Sequence, residues 1–135
     1  FLGSVDNEAM YNNLIVQKGI NGNMTFLGVR TNPYPYIRKA DLIVHPSKFE
    51  GRSIALDEAR LLCKPVVVTN FSTVHDQFTD RYDASICEMT AESIADAIVE
   101  LLANSKLQQK YADNLRNDRK DNLSEIEKLY AIFDD

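Results

Sequence analysis

The sequence contains few of the residues that build metal sites and disulfide frameworks. It has 2 cysteines and 2 histidines, without a C-x-x-C pair or a cluster of cysteine and histidine. Cys63 ends an apolar helical stretch and Cys87 lies in a short apolar run, so we interpret both as small buried hydrophobic side chains in a reducing compartment. A disulfide or a metal site is the alternative, and no ligand spacing supports it.

Other absences restrict the location and the partners. No run of about 18 apolar residues occurs, so the sequence predicts no membrane-spanning helix. The 15 basic and 20 acidic residues give a net charge of -5 that is spread along the chain. This balance disfavours nucleic acid and an anionic membrane surface as major partners. Neither a Walker A loop nor a G-x-G-x-x-G fingerprint is present, so the common phosphate-binding motifs do not apply.

Short apolar segments alternate with helical patterns throughout the 135 residues, of which 44% are hydrophobic. Strands that are apolar on both faces and separated by helices indicate a doubly wound, parallel α/β sheet in one domain. The chain begins on Phe1-Leu2-Gly3, which is typical of the end of a strand, so we interpret it as a piece of a larger protein. The predicted strands are 1–2, 24–27, 41–45, 65–69 and 84–87, and the predicted helical segments are 7–18, 33–39, 54–63, 75–78, 91–103, 106–120 and 123–133.

Ligands of such sheets bind outside the carboxyl ends of the strands. This rule places three predicted loops, 28–32, 44–53 and 69–74, on one rim of the domain. The loop 44–53 carries Glu50, and Glu58 follows in the next helix after seven intervening residues. The sequence therefore predicts the ligand site around these two carboxylates.

Glu58 has an unusual position on the helix predicted for residues 54–63. At about 100° per residue it falls between Ile54 and Leu62, inside the apolar sector, while Asp57 and Arg60 share the opposite face. Burying a carboxylate without partners costs several kcal/mol, so we expect donors from the protein or from a ligand. The alternatives are a structural Glu58 paired with an internal lysine, or a helix rotated so that Glu58 reaches solvent.

The turn before this helix has the features of an anion-binding site. Gly51 permits a tight bend, Arg52 adds a positive charge, and Ser53 is a suitable N-cap residue. Free backbone N–H groups and the positive end of the helix dipole favour an anion at the same point. An ordinary capped helix after a loop is the alternative. His45, at the end of a predicted strand, is more typical of a packed or hydrogen-bonded histidine than of a catalytic one.

An ordered series of short motifs carries a family resemblance over nearly the whole chain. The series resembles the carboxy-terminal, donor-binding domain of GT-B, retaining glycosyltransferases of family 4 (glycosyltransferases group 1). Its motifs are Asn32-Pro33-Tyr34-Pro35-Tyr36-Ile37, Ala40-Asp41, Pro46-Ser47, Glu50-Gly51, Glu58-Ala59 and Lys64-Pro65-Val66-Val67.

The resemblance implies roles for individual residues. Glu50 would be the catalytic glutamate, which holds hydroxyls of the donor sugar, and Glu58 would accept hydrogen bonds from the ribose of the nucleotide. The remaining donor-binding residues fall into two groups. The residues that follow Glu50 in sequence would approach the sugar and diphosphate, and the residues that follow Leu27 would border the nucleobase. The first group is Gly51, Arg52, Ser53, Ile54 and Ala55, and the second is Gly28, Val29 and Arg30.

The resemblance also implies a reaction and its setting. The whole enzyme would transfer a hexose from a nucleotide diphosphate sugar to a glycan, lipopolysaccharide or capsule precursor, without a metal or another cofactor. It would be cytoplasmic, with the inner face of the membrane as a peripheral location for the full-length protein. The acceptor-binding domain and a basic Arg/Lys pair of the family would lie upstream of Phe1, so we expect the chain alone to be inactive. A non-catalytic nucleotide- or sugar-binding α/β module is the alternative.

Overall fold

The computed structural model describes residues 1–118, which fall into two units, residues 1–36 and the residues from 37 onward. The helix predicted for residues 123–133 lies outside the described residues. The elements are α1 (Glu8–Gln17), α2 (Tyr34–Lys39), β1 (Ile43–His45), α3 (Ile54–Leu61), β2 (Val66–Thr69), a 3₁₀ turn (Val74–Asp76), β3 (Ser85–Cys87), α4 (Ala91–Ala103) and α5 (Ser105–Asn117).

The first unit is built around α1, which begins where Asn7 caps it by accepting a hydrogen bond from the backbone N–H of Met10. The strands predicted for residues 1–2 and 24–27 are wrong, because neither segment forms a strand. The two segments instead run beside each other, joined by backbone hydrogen bonds such as Leu27 N to Phe1 O at 2.8 Å. These few backbone hydrogen bonds do not extend far enough along the two segments to form a regular sheet.

The second unit contains a parallel sheet with the strand order β1-β2-β3. Its central strand is the most apolar, since Val66, Val67 and Val68 are all fully buried. Parallel strands need apolar side chains on both faces, because helices cover both sides of the sheet. The alternation of side chains along β2 therefore places two valines on one face and one on the other.

Helices pack on each face of this sheet. Val66 and Val68 pack with α3 and with the segment after β2, whereas Val67 packs with α4 and α5. The first cluster holds Leu56, Ala59, Phe71, Val74, Phe78, Ala84 and Leu115, and the second holds Cys87, Leu101 and Tyr111. This arrangement confirms the predicted doubly wound α/β fold. Within the described part of the chain, no helix is long and apolar enough to cross a lipid bilayer.

The end of α3 differs from the predicted one, since the helix stops at Leu61 rather than at residue 63. Cys63 has a left-handed backbone with φ 52, and the N–H of Lys64 donates to the carbonyl of Ala59. A left-handed residue followed by Pro65 ends the helix and turns the chain into β2. The C-terminal end of α3 is therefore fixed by its connection to β2.

Leu56→Ala should destabilise the protein by about 2–5 kcal/mol, because Leu56 is fully buried in the first cluster and its loss leaves a cavity. Leu61→Ala is the matched control on the same helix, since the Leu61 side chain is 46% exposed. We expect the control to cost less than about 1 kcal/mol. Urea unfolding of the two variants measures both free-energy changes. Equal losses of stability would mean that α3 packs on the sheet through a face other than that of Leu56.

Candidate functional site

The candidate site lies at the carboxyl end of the sheet, where residues 46–53 connect β1 to α3. The segment 70–77, which follows β2, lies against this connection through a series of hydrogen bonds. Both segments leave the sheet at the edge where ligands of parallel α/β folds bind. The predicted loops 44–53 and 69–74 are therefore brought together, as the sequence indicated.

The carboxylate of Glu50 is held through one of its oxygens. Its Oε1 atom lies 3.1 Å from the hydroxyl of Ser47 and 3.1 Å from Nε2 of His45. Its Oε2 atom has no hydrogen-bond partner among residues 37–118, and the side chain is 31% exposed. One oxygen of Glu50 is thus oriented by the protein, and the other can accept a hydrogen bond from a ligand.

Two side chains from the segment after β2 fix the backbone of this loop. The hydroxyl of Thr73 lies 2.8 Å from the carbonyl of Glu50 and 2.7 Å from that of Gly51. The amide of Gln77, which is 3% exposed, accepts from the N–H of Ser53 at 3.1 Å and donates to its carbonyl at 3.0 Å. Sequence reasoning missed both residues. The available signal was two polar side chains in a segment whose apolar residues form the core.

Ser53 occupies the N-cap position of α3 but does not cap the helix through its side chain. Its hydroxyl is instead buried and lies 3.4 Å from Nε2 of His45. Ser53 is therefore the N-cap residue by position, as predicted, but its side chain makes no capping hydrogen bond, because its hydroxyl faces His45. The first-turn N–H groups of Ile54 and Ala55 thus have no cap and carry the positive end of the helix dipole.

Arg52 forms an ion pair at the mouth of the site. Its guanidinium donates to both carboxylate oxygens of Asp57, at 2.7 Å and 3.0 Å, and Gln77 donates to the same carboxylate at 3.0 Å. Burial opposes the charge of Asp57, but the hydrogen bonds and the nearby positive charges outweigh it and lower the pKa of Asp57 below its ordinary value. The positive charge of Arg52 is therefore compensated by Asp57.

The structure corrects the helical-wheel interpretation of Glu58. The buried residues of α3 are Leu56 and Ala59, whereas Ile54 is 75% exposed. The helix is therefore rotated from the face that its apolar residues suggest, and Glu58 lies on a half-buried flank. Its carboxylate has no hydrogen-bond partner among residues 37–118. Solvent access removes the penalty of a buried charge and leaves both oxygens available to a ligand.

The predicted residues Gly28, Val29 and Arg30 belong to the first unit, residues 1–36. Gly28 has a left-handed backbone with φ 66, which explains the choice of glycine there. Val29 is 72% exposed, so its side chain is accessible.

The two cysteines are both free, with Cys87 buried and Cys63 partly buried. Burial raises the pKa of the Cys87 thiol, which makes it less reactive than an exposed thiol. Across residues 1–118, no group of three or more histidine, cysteine or acidic side chains is arranged to hold a metal ion.

The comparisons with known proteins identify the family. A family model described as "Glycosyl transferases group 1" matches residues 1–118. The chain belongs to this family. A search of curated proteins gives no significant match.

Solved structures give the same fold for this group 1 glycosyltransferase chain. WaaG, "a glycosyltransferase involved in lipopolysaccharide biosynthesis", is 25% identical with a TM-score of 0.78, covering 97% of this chain and 36% of WaaG. HepE of Anabaena in complex with UDP is 18% identical with a TM-score of 0.81, covering 98% and 39%. TarM of S. aureus, in a complex that includes UDP, is 22% identical with a TM-score of 0.82, covering 99% and 28%.

These findings confirm the predicted resemblance to glycosyltransferases group 1. They also confirm the fold class, a Rossmann-like α/β domain of the type that forms the C-terminal half of GT-B glycosyltransferases. The chain spans 28–39% of the length of these three solved structures.

Gln77→Ala should destabilise the folded protein by about 1–3 kcal/mol, because it leaves the buried backbone N–H of Ser53 without its partner, although the Ser53 carbonyl still accepts from the N–H of Asp57. The matched control is Gln109→Ala, on the exposed face of α5, for which we expect a change within about 0.5 kcal/mol. Chemical denaturation gives both values. A Gln77 variant as stable as the control would mean that water replaces the amide.

Asp57→Asn should lower stability near neutral pH, and the loss should shrink as the pH falls. The pKa of Asp57 is lower in the folded chain, so its charge adds stability above the unfolded-state pKa, and this stability disappears as the pH drops through the folded value. Unfolding measured from about pH 7 to about pH 3 tests this window. Asp96→Asn, exposed on α4, is the control. A pH-independent loss would assign the effect to packing.

Proposed function

We propose that the chain is the donor-binding domain of a retaining glycosyltransferase that transfers a hexose from a nucleotide diphosphate sugar. The observation that carries the proposal is the pair of carboxylates, Glu50 and Glu58, which lie before and after the uncapped N-terminus of α3 and keep oxygens that no side chain or backbone group of residues 37–118 engages. The UDP in the HepE and TarM structures supports a nucleotide as the ligand.

Glu50 is assigned to the donor sugar. Sugar hydroxyls are hydrogen-bond donors, and the free Oε2 of Glu50 can only accept while it is ionised. Charge-assisted hydrogen bonds of this kind are stronger than neutral ones and fix the orientation of the hydroxyl. Positive charge develops on the sugar as the glycosidic bond breaks, so a carboxylate close to the sugar also stabilises the transition state.

The N-terminus of α3 is assigned to the diphosphate. The N–H groups of Ile54 and Ala55 point out of the first turn without a cap, and such groups bind phosphate in many proteins. The turn at Gly51 precedes them without a side chain that would block close approach. Negative charge grows on the leaving diphosphate, so the helix dipole acts where the reaction needs it. Arg52 would bind the diphosphate only if its guanidinium left Asp57.

Glu58 is assigned to the ribose of the nucleotide. The two ribose hydroxyls form a vicinal diol, which a carboxylate can engage with both oxygens. Its location at the second turn of α3 follows the assigned diphosphate position along the chain, in the order sugar, diphosphate, ribose. We assign the nucleobase to the loop of Gly28, Val29 and Arg30.

The acceptor is proposed as a glycan, lipopolysaccharide or capsule precursor, since WaaG takes part in lipopolysaccharide biosynthesis. We assign its binding to a separate domain of the whole enzyme, which would act in the cytoplasm or at the inner membrane face. The chain alone would then bind nucleotide without transferring sugar. The proposed chemistry uses no metal or other cofactor.

Glu58→Ala should weaken nucleoside diphosphate binding by about tenfold to a hundredfold, because a hydrogen bond to a charged group contributes about 1.5–3 kcal/mol. Glu58→Gln should be intermediate, since the amide keeps one acceptor. Calorimetric titration with UDP, GDP and ADP measures the effect and identifies the base.

The control for this titration is Glu92→Ala, an exposed glutamate in the first turn of α4, which should bind like the wild-type chain. Wild-type affinity in the Glu58→Ala variant would show that Glu58 is structural. Absence of any nucleotide binding by the wild-type chain would contradict the proposed function itself.

A further inference from the structure

His45, the last residue of β1, directs its imidazole at the Glu50 carboxylate. Nε2 lies 3.1 Å from Oε1 of Glu50 and 3.4 Å from the hydroxyl of Ser53. The ring also packs edge-on against Phe71, with 6.3 Å between the ring centroids and 71° between the planes. A strand and an aromatic neighbour thus fix the imidazole, so it is a more rigid partner than a side chain on the loop itself.

The chemistry of the contact determines where the proton lies. An ionised carboxylate only accepts hydrogen bonds, so a hydrogen bond between the two groups requires a proton on Nε2 of His45. The other hydrogen-bond partner of Oε1 of Glu50 is Ser47, which donates to it less consistently. Ser47 has one hydroxyl proton, and its oxygen lies 3.1 Å both from Oε1 of Glu50 and from the carbonyl of Phe49. Ser47 divides its proton between two acceptors at equal distances, whereas the Ser53 hydroxyl lies farther from Nε2 of His45 than Glu50 does, so His45 is the steadier donor.

We propose that His45 is a positioning residue, which holds Oε1 of Glu50 through Nε2–H so that Oε2 is presented to the donor sugar. The inference rests on the proposed function, in which Glu50 contacts that sugar. A glutamate has three side-chain torsions, and a half-exposed one without a partner samples many orientations. Fixing one oxygen removes this cost before the ligand arrives, which is the general benefit of a preorganised site.

The first test compares sugar nucleotides with plain nucleotides on the full chain. UDP-glucose, UDP-N-acetylglucosamine and GDP-mannose are titrated beside UDP and GDP. His45→Leu should weaken binding of the recognised sugar nucleotide by about fivefold to tenfold and leave the plain nucleotide within about threefold. His45→Gln should restore most of the loss, because its amide nitrogen can donate to Oε1. His75→Leu is the control, since His75 is exposed and contacts Asn70.

The second test asks whether His45 acts through Glu50. In a Glu50→Ala background, His45→Leu should cause no further loss of sugar-nucleotide affinity, because the group that it positions is gone. Losses that add in the double variant would overturn the proposal and give His45 a separate role. Circular dichroism of each variant confirms that it is folded.

The third test needs no ligand. The chain has 2 histidines, so long-range ¹H–¹⁵N spectra contain two imidazole patterns, which His75→Gln assigns. We expect His45 to carry a proton on Nε2, and we expect that proton to exchange faster with water in Glu50→Ala. A bare Nε2 in the wild-type chain would overturn the proposal.

The outcomes separate this proposal from the proposed function. If UDP or GDP binds and His45→Leu binds sugar nucleotides like the wild type, the role of His45 is refuted while nucleotide binding stands. If no nucleotide binds, the proposed function fails, and with it the presentation of Oε2 to a donor sugar. The spectra then decide separately whether His45 holds Glu50.

Discussion

The side-chain amide of Gln77 connects the two loops that form the candidate site. It is buried, and its oxygen and nitrogen engage the backbone N–H and carbonyl of Ser53, while the nitrogen also donates to Asp57. A buried amide is tolerated only when its polar atoms are paired, so the contact permits essentially one arrangement of the loops. The start of α3, and with it the position of Glu50, depends on this arrangement.

The protein satisfies the backbone of the loop but leaves several side-chain and helix-end groups unused. Thr73 and Gln77 engage the loop carbonyls and the Ser53 N–H, whereas α3 has no side-chain cap and Glu58 has no partner among residues 37–118. A side-chain N-cap typically contributes about 1 kcal/mol, and α3 lacks this contribution. Unused groups on a fixed backbone are characteristic of a binding site.

The sequence predicted the order of the helices and of the three sheet strands, because apolar periodicity and residues such as Pro65 act locally. It predicted the wrong buried face of α3, because the face that packs on the sheet is set by tertiary contacts and not by the helix sequence alone. Ile54 is therefore exposed although it is apolar. The sequence singled out Glu50 and Glu58 as candidate site residues through spacing and resemblance. It missed Gln77, because a local pattern can mark a polar side chain in an apolar segment but cannot identify its partner, Ser53, 24 positions away.

The charges around α3 indicate how a diphosphate would be recognised. Arg52 and Asp57 neutralise each other, so Arg52 adds little net positive potential at the mouth, and the helix dipole contributes the equivalent of roughly half an elementary charge there. Recognition through backbone N–H groups does not depend on which side chains the turn carries. In the proposed function, phosphate binding therefore requires no particular side chain at Arg52 or Ser53. Selectivity for the sugar depends, in that function, on the groups that orient Glu50.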